Sequence, residues 1–363
     1  MRFIGRHRDD STHLHIRQFQ KSGILTVGLL ERLWEKHQDN QDVLIEIMQR
    51  LHLLVVVTEN TDEHMWIVPA LLPPGDAALF NDILSRPHTV ATKTLCFVFK
   101  SKLLPVIYDK LLAICHSSGL KFRKDGTGKA ILKRGSACFM INRACDLLMS
   151  CTGSVVSCTL INKNGETDFK GKCSSVLSLL KDLLENIFTQ FHHGNIVYEL
   201  CLHCTHEICS DTCPVPISDV RREGRVLCCE NSSDDQHWLH SSEAESWMEP
   251  TKSNRKSGTD YKLSDDILDS QPTERMIMLL SQRYIGNQYE LFFSFLELKA
   301  ATISSHKVPN TDLRTITYDL FVAWINKKDK QATVRVILNA MELMDLDYLG
   351  AADELGQEYF KGR

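Results

Sequence analysis

The sequence has no apolar run long enough to cross a membrane, and its first twenty residues lack the apolar core of a secretory signal. We therefore expect a cytoplasmic protein with no membrane span. Neither sign of charge dominates, since 42 basic residues face 46 acidic ones, so no bulk affinity for nucleic acid is expected. The 13 cysteines among 363 residues are scattered and odd in number, which predicts reduced thiols or metal ligands instead of a disulfide framework.

A phosphate-binding loop is also missing. Only residues 123–130 approach one, but the loop needs G-x-x-x-x-G-K followed by Ser or Thr. Arg123 stands where the first glycine belongs, and Ala130 replaces the hydroxyl residue. We expect a hairpin turn here and no bound nucleotide. The sequence shows no nucleophile paired with a base, so we do not expect an enzyme.

Residues 1–74 are predicted to form a small helix-and-strand unit. The pattern predicts a helix over 22–37 capped by Ser22, a second helix from Asp39 or Asn40, and strands over 53–57 and 65–68. The inward face of the second helix is expected to hold Val43, Leu44, Ile47, Met48 and Leu51.

Two helices followed by two strands is the order of a winged helix, which suggests DNA binding. The second helix would be the reading helix, and its exposed residues include the acids Asp42 and Glu46. These would repel phosphates, so a protein-interaction version of the fold is favoured and no nucleic-acid partner is expected.

Residues 88–200 are predicted to form an α+β domain. A strand over 95–99 precedes a helix over 103–116, several short strands follow up to residue 162, and Ser174 is the predicted cap of a second amphipathic helix. Two helices against an antiparallel sheet are the expected result.

Residues 201–248 are rich in cysteine and histidine. Cys201 and Cys204 have the C-x-x-C spacing that lets two thiolates reach one tetrahedral ion. The further ligands are expected to be Cys228 or Cys229 and His237 or His240. Our candidate set for a structural zinc ion is Cys201, Cys204, Cys228 and His237. The alternative is a loop of free thiols. Residues 249–271 are polar and are predicted to be a flexible linker.

Residues 272–363 are predicted to form an all-α bundle of six helices. Thr273 can cap the first helix, and residues 289–296 and 300–305 predict two short ones. A long helix follows to Ile325 after a cap at Thr311 or Asp312, and two more are predicted over 331–344 and 348–359. Apolar side chains spaced three and four residues apart line the inner faces.

Residues 273–359 resemble a death domain. The resemblance rests on Gly286-x-x-Tyr289, Leu320-x-x-x-Trp324 and Gln331-Ala332-Thr333-Val334. Residues 23–75 and 90–200 resemble the COR domain of Roco proteins through Gly23-Ile24-Leu25, Val68-Pro69-x-Leu71-Leu72-Pro73 and Phe97-x-Phe99. The chain thus resembles the animal Roco branch that ends in a death domain, with the GTPase domain absent from this chain.

The resemblance implies a multidomain signalling adaptor that works by protein–protein interaction, as in apoptosis. It implies homodimerisation through the COR-like half, other death-domain proteins as partners, and a GTPase domain in cis or in trans. The alternative is the C-terminal regulatory fragment of a larger Roco GTPase. Death domains pair through charged patches, and the candidates are basic (Lys327, Lys328, Lys330, Arg335) and acidic (Glu342, Asp345, Asp347, Asp353, Glu354).

Overall fold

The chain forms a mixed α+β fold in three successive groups of elements. Among the residues that the structure describes, no helix has both the length and the apolar character needed to cross a bilayer. A computed structural model describes residues 10–35, 40–57, 65–75, 80, 83–100, 105–165, 169, 171–190, 197–204, 214–228, 237–248, 263–307, 311–344 and 346–361.

The first group packs three helices around a small antiparallel sheet with strand order β1-β3-β2. Its core contains Leu29, Leu30 and Trp66. Its elements are α1 (Asp10–Ser22), β1 (Ile24–Thr26), α2 (Val27–Leu33), α3 (Gln41–Arg50), β2 (Val55–Val57) and β3 (Met65–Ile67).

The predicted helix over 22–37 is wrong at its start. Ser22 ends α1, and α2 begins only at Val27, where the Thr26 side chain accepts a hydrogen bond from the Leu29 amide at 3.4 Å. Gly23 separates the two helices because it adopts a left-handed φ of +70°, and a Cβ there would lie 3.1 Å from the Leu72 amide nitrogen. Only glycine fits that approach without strain, so the chain turns into a strand.

Helix α3 does not bury the face that the sequence analysis assigned to its inside. Val43 is 55% exposed, and Ile47 and Leu51 are each 47% exposed. Met48 packs against the core as predicted, together with Ile45, which was not assigned to the inside. Apolar residues occur on two adjoining faces of α3, so their periodicity could not determine which face is buried.

The second group places two helices on a nine-stranded antiparallel sheet, which confirms the α+β prediction for this region. The main strand order is β12-β11-β5-β10-β9-β8-β6, where β11 is Tyr198–His203 and β12 is Val215–Pro216. Its elements up to residue 190 are β4 (Val90–Ala91), β5 (Thr94–Phe99), α4 (Pro105–Ser117), β6 (Lys121–Phe122), β7 (Leu132–Lys133), β8 (Ser136–Met140), β9 (Cys145–Thr152), β10 (Val155–Asn162) and α5 (Lys172–Gln190).

Two local predictions in this group have different outcomes. Ser174 does not cap α5, because it lies inside the helix and its hydroxyl donates to the Gly171 carbonyl at 3.2 Å. The segment that approaches a phosphate-binding loop is a hairpin turn, as predicted. There the Asp125 carboxylate accepts hydrogen bonds from the amides of Thr127 at 2.8 Å and Lys129 at 3.0 Å.

The cysteine-rich segment continues the large sheet. Strand β11 (Tyr198–His203) pairs along its whole length with β5, so the boundary expected after residue 200 falls inside a strand. The Tyr198 ring lies 5.2 Å from that of Phe97. The remaining elements are β12 (Val215–Pro216), α6 (Ile217–Glu223), β13 (Arg225–Leu227), β14 (Trp238–His240) and α7 (Ser241–Met248).

The third group is helical and contains the six predicted helices. Thr273 caps the first of them as predicted, since its hydroxyl accepts from the Met276 amide at 3.4 Å. The long helix extends past Ile325 to Lys328. The six are α9 (Glu274–Arg283), α10 (Tyr289–Phe295), α11 (Ala300–Ser305), α12 (Leu313–Lys328), α13 (Val334–Leu343) and α14 (Tyr348–Lys361).

The predicted linker is ordered in its second part. A short helix, α8 (Asp265–Leu268), buries Ile267 and Leu268, and the Ser270 carbonyl accepts a hydrogen bond from the Val334 amide at 3.0 Å. The polar composition misled the prediction here, because two adjacent apolar residues are enough to anchor one turn. Residues 249–262 of the predicted linker lie outside the described part of the chain.

The six-helix bundle packs on the α+β group. Helices α10 and α11 contact α5. The Asn142 side-chain amide donates to the Leu343 carbonyl at 3.0 Å. Gly119 leaves room for Leu291, whose Cβ would lie 3.1 Å from a Cβ at residue 119. The two groups therefore share an interface.

Candidate metal centre

Three potential metal ligands converge at one end of the large sheet. The sulfur atoms of Cys204 and Cys228 and a ring nitrogen of His237 all lie within 4.8 Å of one another. Both cysteines are buried, and His237 is half-buried. Two sulfurs and an imidazole nitrogen are a donor set that zinc prefers.

A hairpin brings two of these ligands together from distant positions in the sequence. Cys228 directly follows β13 and His237 directly precedes β14. The Cys228 amide donates to the His237 carbonyl at 2.9 Å, which extends the ladder of the hairpin by one pair. Cys204 reaches the same point from the end of β11. An ion bound here would cross-link the hairpin to the large sheet.

The structure does not bring Cys201 into this group, so the predicted ligand set is wrong at that residue. Cys201 lies within β11, opposite Cys96 on one side and Pro216 on the other. In a strand, residues three apart point to opposite faces, so C-x-x-C spacing cannot place both sulfurs on one ion here. Burial, together with the nearby negative charge of Glu199, raises the pKa of the Cys201 thiol to about 12.

The two alternative ligands considered from the sequence have separate outcomes. His240 is exposed and pairs with Arg225 across the hairpin, outside the converging group. Cys229 lies outside the described residues.

A basic side chain accompanies the ligands. The Lys93 ammonium donates to the Cys204 sulfur at 3.7 Å and lies 3.9 Å from a Glu243 carboxylate oxygen. The Lys93 carbonyl in turn accepts a hydrogen bond from the Trp247 indole at 3.2 Å.

The spacing of the three ligands fits an ion of zinc's size. Two thiolates bound tetrahedrally to zinc stand roughly 3.8 Å apart, because each Zn–S bond is about 2.3 Å long. Closing a group that already lies within 4.8 Å to that spacing needs side-chain shifts of about 1 Å. Two thiolates would also balance the double charge of the ion.

The cysteines within the sheet have a different environment. Burial raises the pKa of Cys138 and of Cys145 to about 12 and that of Cys96 to about 11. These thiols stay protonated at neutral pH, so they act as small apolar core residues.

The predicted basic patch is largely engaged within the chain. The Lys327 ammonium binds the Glu297 carbonyl, and the Lys328 ammonium binds the Glu297 carboxylate. Arg335 is only 7% exposed, so its assignment to a partner-binding surface is wrong. Its guanidinium contacts Asp269 at 2.8 Å and Asp265 at 2.6 Å, two acids of the ordered linker segment. Lys330 is exposed.

The predicted acidic patch is partly exposed. Asp353 is exposed, as is Asp347, whose carboxylate accepts a hydrogen bond from the Gly350 amide at 2.9 Å. Glu342 is half-buried, and Glu354 pairs with Arg283 at 2.9 Å. Asp345 lies outside the described residues.

Comparison with known proteins adds no assignment. No protein-family model and no curated protein sequence matches this chain. Sequence reasoning missed Lys93, Glu243 and Trp247, which surround the ligands. A usable signal was the alternation Tyr198-x-Leu200-x-Leu202, which marks a strand running into the C-x-x-C motif.

Proposed function

We propose that this chain is a non-enzymatic interaction scaffold of the Roco type, built from a COR-like half and a death-domain bundle. The observation that carries the proposal is the order of the three groups along one chain. A helix–strand–helix–helix–strand–strand unit with sheet order β1-β3-β2 suits the winged-helix part of such a scaffold. The two-helix sheet and the six-helix bundle then follow in the order that the resemblance implies.

The surface of α3 supports binding to proteins over binding to nucleic acid. Val43, Ile47 and Leu51 form an exposed apolar row along one side of the helix. Asp42 and Glu46 are exposed on the same helix, and Glu46 holds Arg50 in an ion pair at 2.5 Å. The acids repel phosphates, whereas the exposed apolar row suits a protein partner.

We also propose that Cys204, Cys228 and His237 hold a structural zinc ion. The ion would fasten the hairpin β13–β14 to the edge of the large sheet and so stabilise a segment with a small core. The expected measurement is about one zinc per purified chain, found by elemental analysis, with loss of zinc in Cys228→Ser.

The scaffold proposal is tested by reversing exposed charges on the six-helix bundle and measuring self-association. Lys330 and Asp353 are exposed and opposite in sign, so we expect them to steer one copy onto the next. We expect Lys330→Glu and Asp353→Lys each to weaken low-salt self-association of the full chain about tenfold by light scattering. Mixing the two variants should restore it, because each supplies the charge that the other has lost.

The matched control is Lys129→Glu, which reverses an exposed lysine in the hairpin turn of the α+β group. If this variant weakens association equally, or if mixing restores nothing, the charged-patch assembly is refuted. A dimer that persists at high salt in every variant is the expected contribution of the COR-like half, because that contact does not depend on these charges.

A further inference from the structure

We propose that the metal centre controls how the six-helix bundle is seated on the rest of the chain, with helix α7 as the connecting element. This inference rests on the zinc ion of the proposed function and adds a regulatory role to that site.

The hairpin that carries two of the ligands runs directly into α7. Strand β14 ends at His240 and the helix starts at Ser241. The Glu243 carboxylate folds back and accepts a hydrogen bond from the His240 amide at 2.8 Å. Strand β14 alone separates the candidate ligand His237 from α7, so a shift of the hairpin is passed directly to the helix.

A second tie joins the metal ligands to α7 through Lys93. Its ammonium touches the Cys204 sulfur at 3.7 Å and the Glu243 carboxylate at 3.9 Å. Its carbonyl accepts the Trp247 indole hydrogen bond. Helix α7 is therefore linked to Cys204 through Lys93 and to His237 through strand β14.

The far end of α7 and the bundle line the same crevice. Trp247, which is 1% exposed, lies with Met248 in the wall of a crevice of about 110 Å³. The other walls come from α5 and from Phe295 and Glu297 at the end of α10. Glu297 is also the residue that binds Lys327 and Lys328 of α12.

The consequence is a metal-dependent contact. With the ion bound, the hairpin is fixed to the sheet and α7 holds Trp247 and Met248 in the wall of the crevice that Phe295 and Glu297 also line. Without it, Cys204, Cys228 and His237 are no longer cross-linked, and α7 is held by its packing on α5 and α6 and by its contacts with Lys93. The contact between α7 and the bundle then loosens.

The test is hydrogen exchange of the full chain, measured with zinc bound and after removal of zinc by a chelator. We expect amides of residues 241–248 and 289–297 to exchange about tenfold faster without zinc, while residues 145–162 of the central sheet are unchanged. Adding zinc back should restore protection. Cys228→Ser should match the zinc-free protein, and Cys201→Ala, from the same cysteine-rich segment, should match the zinc-bound one.

Each contrary result has a distinct meaning. If only residues 225–240 lose protection, the ion is a local staple and the seating role is refuted. Loss of protection in residues 145–162 as well would indicate general unfolding and would also refute it. If elemental analysis finds no zinc, the zinc proposal itself fails. Trp247→Phe gives an independent check, because it should keep zinc yet loosen residues 289–297.

Discussion

Replacing Arg335 should destabilise the bundle less than replacing the two carboxylates that pair with it. The Arg335 side chain is 8% exposed, whereas those of Asp265 and Asp269 are 65% and 43% exposed. In Arg335→Met the two acids regain water, and we expect a loss of about 1–2 kcal/mol. In Asp265→Asn combined with Asp269→Asn, a buried guanidinium loses both carboxylates, and we expect a loss of about 3 kcal/mol or more.

The assay is native-state hydrogen exchange of amides in α13, which reports the free energy of opening this helix. Asp266→Asn is the matched control, because Asp266 is exposed on the same short helix and its side chain is not among the Arg335 contacts described above. It should change the opening free energy by less than about 0.5 kcal/mol. The reasoning is refuted if Arg335→Met costs more than the double acid variant.

Four further substitutions have definite expected results. Ser281→Ala should stabilise the bundle by about 1 kcal/mol in urea unfolding, because the buried hydroxyl has no hydrogen-bond partner among the described residues. Gly119→Ala should cost about 2 kcal/mol in the same assay, given a φ of +99° and a Cβ 3.1 Å from that of Leu291, whereas Gly126→Ala meets nothing within 4 Å and should be neutral. Burial, with nearby Lys110 and Lys307, lowers the pKa of His52 to about 4, so its contribution to stability is present above pH 6.5 and is lost as pH falls towards 4. His52→Asn should reduce the change of the urea midpoint between pH 6.5 and pH 4. An unchanged pH dependence would contradict the lowered pKa of His52.

The helices of the bundle were predictable because their pattern is local. Leu320, Phe321 and Trp324 recur at helical spacing, and all three are fully buried. The cap at Thr273 is likewise a local interaction, complete within four residues. Where one face of a helix is apolar and the other is charged, the sequence alone determines orientation.

The orientation of α3 and the role of Arg335 depend on tertiary contacts. Helix α3 carries apolar residues on two adjoining faces, so only the packed strands decide that Met48 faces inward and Ile47 outward. Arg335 looked like a surface base because its partners lie about seventy residues earlier, in a segment whose composition suggested a linker.

Of the four ligands predicted for the candidate metal site, the structure brings Cys204, Cys228 and His237 together. The C-x-x-C spacing pointed to Cys201, but that spacing places two sulfurs on one ion only in a turn. Here strand β11 carries Cys201 and ends just before Cys204. The hairpin that joins Cys228 to His237 has eight residues between them, too many for a turn rule to predict.

The strand order of the large sheet has a consequence for synthesis on the ribosome. Strand β5 lies between β10 and β11, and β11 begins about a hundred residues after β5 ends. At translation rates of about 5–20 residues per second, one edge of β5 waits roughly 5–20 s for its neighbour. Strand β5 also contains Leu95, Phe97 and Phe99, which are all buried in the folded protein. During this interval the nascent chain exposes an unpaired strand edge that can aggregate. A chaperone that shields this edge would raise the yield of folded protein.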